Sequence, residues 1–540
     1  MPSGLALASD VIGGDLVWWR ETGDLHTLVT LYLGPEDSGP ATFDSVTLRF
    51  ALFDPQGNLR KSWEHVLRKA DWMLVDSRAY GDSAEEGVLA ISVAPPRDAS
   101  PEAVRAFHRL YSLVDWYSDS GDTVCLHSDQ SFVRKAKPLE FTEIVFLETG
   151  DQPNFLVLMN GPVEQRAGSL ALRMRNAEGQ TRSAAYDRPM PPFSLHKLFL
   201  RDLVPDLARF CGGREATLEG SFDSLGIFAR PYVITQSQRL GGYHGGDRYG
   251  FPALPAFAHR QLGRGEVNPM VAVHSPQVTT TVNLLNSHGD LEQDFWVDAR
   301  LYDCAGTLVA ERPRWLLARR HALSRGDIAA LLPEAGSSFA GHIALNFSPH
   351  DGAHYPRRLQ ALLEYRSPVN AARVMAWSDI WNARDRIAKL RTSLAGVFPL
   401  ELFYPGTLEV DPAVTLKCHQ RAWCNGPIES YLAITNCGAA DGYQESIEYR
   451  ILFRNLAGEV RSYTGALPPQ GTAFGPVESF LPGATAFVGP EMVALVSVES
   501  RADLAVMNLN RHKRSGAYSA EHFMADPVYK DGKYYWFCGA

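Results

Sequence analysis

The residues best suited to chemistry lie in a glycine-rich stretch at 239–250, which reads RLGGYHGGDRYG. It sets His244 and Asp247 among five glycines. Imidazole with carboxylate is a common ligand set for divalent metals and a common proton-transfer pair. Glycines at this density also suit a phosphate-binding loop, but such a loop must lead from a strand into a helix. Pro252 and Pro255 follow closely and disfavour a helix, so the stretch is predicted to be a turn and not a nucleotide loop.

Two other turns carry histidine and aspartate within a few residues of each other. One follows the run SGDTVCLH, and the other lies in and after the run RSGAYSAEH. If the three turns converge, they predict a divalent-metal or acid/base site at a junction between domains, where such sites are common. The candidate ligands are His127, Asp129, His244, Asp247, His522 and Asp526.

An alignment of the second run with the glycine-rich stretch gives the alternative explanation. It places Tyr518 over Tyr243 and His522 over Asp247. The glycine-rich stretch is then one copy of a turn that recurs after the last strand of a repeated unit. In this interpretation the turns are elbows between domains, and the two tyrosines pack against a neighbouring domain.

Large aromatic residues near the same junctions offer a different kind of site. Trp116 and Trp377, with Tyr243 and Tyr518, are the candidates for an aromatic platform that binds a carbohydrate or another flat ligand. The alternative is that large rings at these positions seal the contacts between successive domains.

An internal repeat positions these turns. Four segments run from a strand-like pattern into a turn that is closed by glycine, at Gly57, Gly179, Gly306 and Gly458. Glycine suits such a turn because it adopts positive φ without steric cost. The residues before the turns alternate between apolar and polar, as in LALRM and IEYRI, which predicts strands with one buried face.

Each copy of the repeat reads as a series of short strands punctuated by proline and glycine, which predicts a small antiparallel β-sandwich. The chain is therefore predicted to be all-β, a tandem array of four diverged immunoglobulin-like sandwiches with few short helices. The predicted units span 1–150, 151–262, 263–405 and 406–540. The third unit is expected to end in a helical segment at 381–396.

The order of strands and turns resembles the immunoglobulin-like repeat modules of bacterial surface and accessory proteins. The residues that carry the resemblance are Asn160 and Asn436 at strand ends, the glycine turns, and a proline-rich stretch such as LPPQG at 467–471. The resemblance implies a fold and brings no functional residue with it.

Composition excludes several classes of protein. The formal net charge is −9 and no block of Lys and Arg stands out, so nucleic acid is not an expected partner. No segment approaches 18 apolar residues, so membrane insertion is not expected. The first residues lack the features of a signal peptide, and the seven cysteines show no framework spacing. A cytoplasmic location with reduced thiols is predicted, unless a signal peptide has been removed.

The predicted function is that of a non-catalytic binding or scaffold protein that engages a protein partner, or assembles with itself, through the loops between its units. The sequence contains no G-x-S-x-G or H-E-x-x-H motif, and no cofactor is expected. One alternative is a metal-dependent or acid/base enzyme that uses the His and Asp turns with a divalent metal. Another is a carbohydrate-binding protein that uses exposed Trp and Tyr.

Overall fold

The computed structural model describes most of the chain. The described residues are 11–22, 25–33, 43–80, 86–101, 104, 110–127, 130–132, 139–148, 153–222, 227–229, 231–247, 265–285, 294–319, 322–334, 337–349, 360–376, 415–436, 444–500, 504–526, 528–530 and 533–535.

The chain divides into two compact units, Met1–Tyr249 and Gly250–Ala540, which we call unit 1 and unit 2. Each unit holds two β-sandwiches, numbered 1 and 2 in the first and 3 and 4 in the second.

Sandwich 1 is built from antiparallel strands in two sheets. Its described strands are β1 (Gly13–Thr22), β2 (Leu25–Tyr32), β3 (Ser45–Phe53), β4 (Leu59–Arg68), β5 (Trp72–Asp76), β6 (Glu86–Ala94), β7 (Tyr111–Ser118), β8 (Thr123–His127) and β9 (Gln130–Phe132). One sheet has the order β4-β3-β6-β1, and β9 pairs with the free side of β1. The other has the order β5-β2-β7-β8. A 3₁₀ turn at Ser77–Tyr80 follows β5.

Sandwich 2 repeats this arrangement. Its described strands are β10 (Leu139–Leu147), β11 (Asn154–Met159), β12 (Leu170–Arg175), β13 (Thr181–Ala185), β14 (Leu195–Phe199), β15 (Glu215–Phe222), β16 (Ile227–Ala229), β17 (Tyr232–Gln236), β18 (Leu240–His244) and β19 (Gly246–Asp247). The sheets have the orders β13-β12-β15-β10-β19 and β14-β11-β17-β18, while β16 pairs with β9 of sandwich 1. Because β16 belongs to neither of these two sheets, β17 and β18 are counted below as the seventh and eighth strands of sandwich 2. Two short helices, α1 (Leu200–Leu203) and α2 (Leu207–Cys211), link β14 to β15.

Sandwich 3 has the same strand order as sandwich 1. Its described strands are β20 (Gly265–Ser275), β21 (Val278–Leu285), β22 (Phe295–Asp303), β23 (Leu308–Ala318), β24 (Leu323–Asp327), β25 (Phe339–Pro349), β26 (Gln360–Arg366) and β27 (Ala371–Ala376). The order is β23-β22-β25-β20 in one sheet and β24-β21-β26-β27 in the other. A 3₁₀ turn at Ile328–Leu331 follows β24, as in sandwich 1.

Sandwich 4 matches sandwich 2. Its described strands are β28 (Leu416–Trp423), β29 (Ile428–Thr435), β30 (Ile447–Arg454), β31 (Val460–Leu467), β32 (Thr472–Pro476), β33 (Val493–Ser500), β34 (Ala505–His512), β35 (Tyr518–His522) and β36 (Met524–Asp526). The sheets have the orders β31-β30-β33-β28-β36 and β32-β29-β34-β35. Helices α3 (Val477–Phe480) and α4 (Ala484–Val488) and a 3₁₀ turn at Gly489–Glu491 precede β33, and a hairpin of β37 (Val528–Lys530) and β38 (Lys533–Tyr535) follows.

The prediction of an all-β chain of four tandem sandwiches is confirmed by these sheets. The glycine turns are also confirmed, because each closes the hairpin between the third and fourth strands with φ between 81° and 88°. Strands such as β12 alternate between buried and exposed residues, whereas β2 is buried throughout. The alternating strands therefore have one wet face, and the buried ones lie between packed layers.

Two predictions concern the boundary between sandwiches 1 and 2 and a helix at the end of the third unit. β10 lies before residue 151 yet pairs with β15 and β19, so the predicted boundary at 150 falls inside sandwich 2 by sheet membership. The predicted helix at 381–396 lies outside the described residues.

The structure adds a pairing that the sequence did not indicate. Sandwiches 2 and 4 carry two short helices before the sixth strand, whereas 1 and 3 carry a 3₁₀ turn. In the helical type, the Asn that opens the glycine turn donates to a helix carbonyl. Asn176 Nδ2 donates to Phe210 O, and Asn455 Nδ2 donates to Phe487 O, both at 2.9 Å. The repeating structural element is therefore a pair of unlike sandwiches.

Candidate functional site at the joints between paired sandwiches

The two sandwiches of each unit meet through a backbone contact that occurs in both units. In unit 1, Leu195 N donates to Pro55 O at 3.0 Å, and in unit 2, Thr472 N donates to Cys304 O at 3.1 Å. Pro55 and Cys304 occupy the same place in their glycine turns, and Leu195 and Thr472 each begin the fifth strand of the partner sandwich. We define the joint as this hydrogen bond together with two further contacts between the paired sandwiches, a side-chain clamp and a contact between their eighth strands.

The glycine in the turn is what allows the first contact. A Cβ atom on Gly57 would lie 2.2 Å from Pro192 O, and one on Gly306 would lie 2.2 Å from Pro469 O. The receiving loops share a residue with positive φ, which is Phe193 in unit 1 and Gln470 in unit 2. The turn therefore fits the loop only without a side chain.

A side chain from the turn before the eighth strand makes the second contact. Asp122 Oδ1 accepts from Leu240 N at 2.9 Å in unit 1. In unit 2, Asn370 Oδ1 accepts from Tyr518 N at 2.9 Å, and Asn370 Nδ2 donates to Tyr518 O at 2.8 Å. Leu240 and Tyr518 both begin the eighth strand of the second sandwich of their unit, so the clamp is the same in both joints.

The third contact brings together the eighth strands of the paired sandwiches, β8 with β18 and β27 with β35. In unit 1 this contact ends at His127 and His244, whose ring centroids lie 4.5 Å apart at an interplanar angle of 74°. Both histidines are buried. One ring nitrogen of each lies within 4.8 Å of the other, so the structure brings together these two predicted ligands.

The same register position in all four sandwiches carries this residue. In each case the cross-strand pairs that start from this residue lead through the seventh and second strands to the third residue of the fifth strand. The pairs are His127 with Leu113, His244 with Tyr232, Met375 with Leu362 and His522 with Met507. Three sandwiches therefore place a histidine at one defined point of the fold, and sandwich 3 places methionine there.

This register corrects the alignment drawn from the sequence. After His244 the chain crosses to the other sheet, where Gly246 pairs with Thr142, and after His522 it crosses in the same way at Met524. His522 therefore corresponds to His244 and not to Asp247, and Tyr518 corresponds to Leu240 and not to Tyr243. The matching Gly and Tyr letters had shifted the alignment by three residues.

The other predicted ligands are described by their strands. Asp247 lies in β19 opposite Phe141, and Asp526 lies in β36 opposite Lys417. Asp129 lies outside the described residues. In unit 2, His522 contacts Glu521, with Nδ1 and Oε1 2.9 Å apart, and both side chains are buried.

The predicted aromatic platform is not exposed where the structure describes it. Trp116, Tyr243 and Tyr518 are buried, and Trp377 lies outside the described residues. Trp116 packs on Trp18 of its own sandwich and on Tyr232 of sandwich 2, with ring centroids 5.4 and 5.3 Å apart. Tyr243 donates its hydroxyl to Val145 O at 2.8 Å. Trp116 therefore packs against the neighbouring sandwich, whereas the hydrogen bond of Tyr243 lies within its own sandwich.

Sequence reasoning missed two buried polar groups in unit 2. The first is Glu364, whose carboxylate contacts three arginines at 2.7–2.8 Å: Arg325, Arg366 and Arg373. These guanidinium groups hold the pKa of Glu364 far below its usual range despite its burial. The second is the buried pair of Arg421 and Gln420, in which the guanidinium group donates to the amide oxygen, and no spacing in the sequence distinguishes these residues from solvated strand positions.

A buried histidine in the joint of unit 2 predicts a dependence of stability on pH. His342 has no exposed surface and its ring stacks on Tyr302. The Nδ1 atom of His342 lies 3.3 Å from Oγ1 of Thr472. Burial lowers the pKa of His342 to about 3. The unfolded chain, with a histidine pKa of about 6.5, takes up a proton below that pH while the folded chain does not. The contribution of neutral His342 to the free energy of unfolding is therefore fully present above pH 6.5, and the free energy of unfolding falls as the pH drops towards 3.

The test is urea denaturation at pH 7 and pH 5. His342→Gln is expected to remove about 2 kcal/mol of the loss seen between these pH values, since each unit of pKa difference is worth about 1.4 kcal/mol. His65→Gln, at an exposed position of β4, is the control and should leave the loss unchanged. An identical pH dependence in wild type and His342→Gln would contradict the assignment.

Comparisons with known proteins leave the chain without a family. No family model matches it, and no curated protein matches it. Among solved structures, a crystal structure of a tetra-tandem repeat in the extending region of a large adhesion protein aligns at 10% identity. The alignment covers 91% of this chain and 92% of that one, at a TM-score of 0.09, which carries no argument about fold or function.

The sheets themselves define the class, which is a tandem β-sandwich protein organised in two pairs. Among the described helices, none is long and apolar enough to cross a membrane.

Proposed function

We propose that the chain is a non-catalytic binding or scaffold protein that engages a protein partner through the segments between its sandwiches. The observation that supports this most is the recurrence of the joint. The same turn-to-loop hydrogen bond and the same side-chain clamp hold the sandwiches together in both units. Such contacts fix the spacing and orientation of two domains, which is what a protein that positions partners requires.

The edges of the sheets are less suited to partner binding than the connecting segments. The outer strand β4 reads LRKSWEHVLR, and most of its side chains are exposed. Charged side chains on an edge strand oppose the addition of a foreign strand. The three most exposed large apolar residues in the described part of the chain, Val66, Leu308 and Val460, lie on the fourth strands of three different sandwiches. Connecting segments are therefore the favoured contact surface.

The test is affinity capture with the full chain, followed by reconstitution with the purified partner. A partner is expected to co-purify at a constant ratio and to bind the purified chain. Binding is expected to fall at least tenfold when residues 133–138, which lie between β9 and β10 in the chain, are replaced by Gly and Ser. A Glu178→Ser change in the open turn of sandwich 2 is the matched control and should not affect binding. Capture no greater than that of an unrelated β-sandwich, or equal loss in the control, would refute the proposal.

Neither alternative function gains equal support. The three described rings of the aromatic platform are buried, so carbohydrate binding on them would require the joint to open. The enzyme hypothesis depends on His127, His244 and His522, which strand pairing places at equivalent positions.

A further inference from the structure

We propose that His127 and His244 form a binding site for a divalent transition metal such as Zn²⁺. The proposal does not depend on the scaffold function. Imidazole nitrogen is a preferred ligand of zinc, cobalt, nickel and copper, with Zn–N distances of about 2.0–2.1 Å. Two ligand nitrogens on one tetrahedral zinc lie about 3.3–3.5 Å apart, which follows from those bond lengths. The two rings already hold ring nitrogens within 4.8 Å of each other, so a small rotation of the side chains suffices.

The backbone around the pair is fixed on both sides. His127 ends β8 and His244 ends β18, and each strand is paired along its length with the seventh strand of its sandwich. At the other end of β18, the Asp122 clamp holds Leu240. Side chains carried by rigid strands lose little further entropy when a metal orders them, which favours binding.

Burial would shield a bound metal from exchange with solvent. The exposed fractions of His127 and His244 are 3% and 2%, so a bound cation would be largely shielded from water. The pair supplies two neutral imidazole ligands, and water or further side chains would complete the four positions that zinc prefers. Because imidazole must be deprotonated to bind, occupancy should fall in acid.

Unit 2 provides an internal comparison. The strands β27 and β35 pack as β8 and β18 do, and His522 occupies the position of His244. The position of His127, however, is taken by Met375. The register thus gives unit 2 only one of the two histidines, and Met375→His would place a second histidine at the matching backbone position.

The first experiment measures zinc content. The full chain is refolded with Zn²⁺, dialysed, and analysed for bound metal by mass spectrometry, because a buried site is best loaded during folding. The wild type is expected to hold zinc, and His127→Asn and His244→Asn are each expected to lose one equivalent per chain. His65→Asn, which changes an exposed histidine of the same unit, is expected to retain it. Zinc should also raise the Tm of the wild type and of His65→Asn more than that of the other two variants.

The second experiment adds a site and does not depend on the folding of those variants. Met375→His is expected to gain one equivalent of zinc, and His522→Asn in the same chain is expected to remove it. Cobalt in place of zinc should then give a visible absorption band in Met375→His that is weaker in the double variant.

The zinc content of the variants decides between support and rejection of the proposal. Loss of one equivalent in both single variants, with retention in the control, supports the proposal. Equal zinc in the wild type, His127→Asn and His244→Asn overturns it. If those variants do not fold, Met375→His decides, and no gain of metal there overturns the proposal.

Discussion

Gly306→Ala is expected to destabilise unit 2 far more than Gly458→Ala, although both glycines close equivalent turns. Their φ angles are 81° and 82°, so the cost of placing alanine in the left-handed region, about 1–2 kcal/mol, is shared. At Gly306 the new Cβ would lie 2.2 Å from Pro469 O, whereas at Gly458 it would meet no described atom within 4 Å. The first turn can accept the methyl group only by leaving the joint, which we expect to cost about 1–3 kcal/mol more.

Urea denaturation of the two variants measures this difference directly. Unit 1 offers a second, independent pair, because Gly57 is enclosed by Pro192 in the same way and Gly179 is open. A larger loss for the enclosed member is expected in both pairs. Equal losses within each pair would show that the turn-to-loop contact contributes nothing to the stability of the joint.

Removal of the Glu364 carboxylate is expected to have the largest effect of a single side chain in unit 2. Glu364→Ala should cost about 3–5 kcal/mol, because it leaves three guanidinium groups without their shared partner, and Arg373 among them is buried. Glu311→Ala is the matched control. Glu311 contacts Arg300 at 2.8 Å, but its side chain is 44% exposed, and such pairs are worth about 0–1 kcal/mol.

The same group sets the direction of a pH effect. The pKa of Glu364 is lowered by its arginines, so its contribution is complete above the unfolded value of about 4.3 and is lost as the pH falls further. Glu364→Gln should therefore remove part of the acid sensitivity of unit 2 below pH 4. A small cost for Glu364→Ala, similar to that of Glu311→Ala, would contradict the assignment of this cluster as a buried ion network.

Local features of the sequence predicted much of the fold. Backbone conformation requires glycine at Gly57 and its three counterparts, and burial of one face requires alternation in the strands. Both features can therefore be recognised in the sequence. The joints leave little trace, because their shared hydrogen bond joins main-chain atoms of unrelated residues, Pro55 with Leu195 and Cys304 with Thr472. Two sequences can have different residues at every position of such a main-chain contact and still form it.

The sequence predicted the residue types of the candidate site but not the strand register that makes them equivalent. His127, His244 and His522 were proposed together as ligands, and strand pairing places them at equivalent positions, although the similarity of Tyr518 to Tyr243 had displaced the alignment. Strand pairing, which is a long-range property, decides which residues are equivalent. The Glu364 network was missed for a related reason, because its arginines come from β24, β26 and β27 and converge only after the strands pair.

The alternation of two kinds of sandwich bears on the ancestry of the chain. Sandwiches 1 and 3 share one connection before the sixth strand, sandwiches 2 and 4 share another, and both joints use equivalent positions of the fold. A history of single-domain copying would not produce this pattern, whereas one duplication of an already differentiated pair does. Related genes of other lengths are therefore expected to gain or lose sandwiches two at a time, with recombination points falling between pairs and not within them.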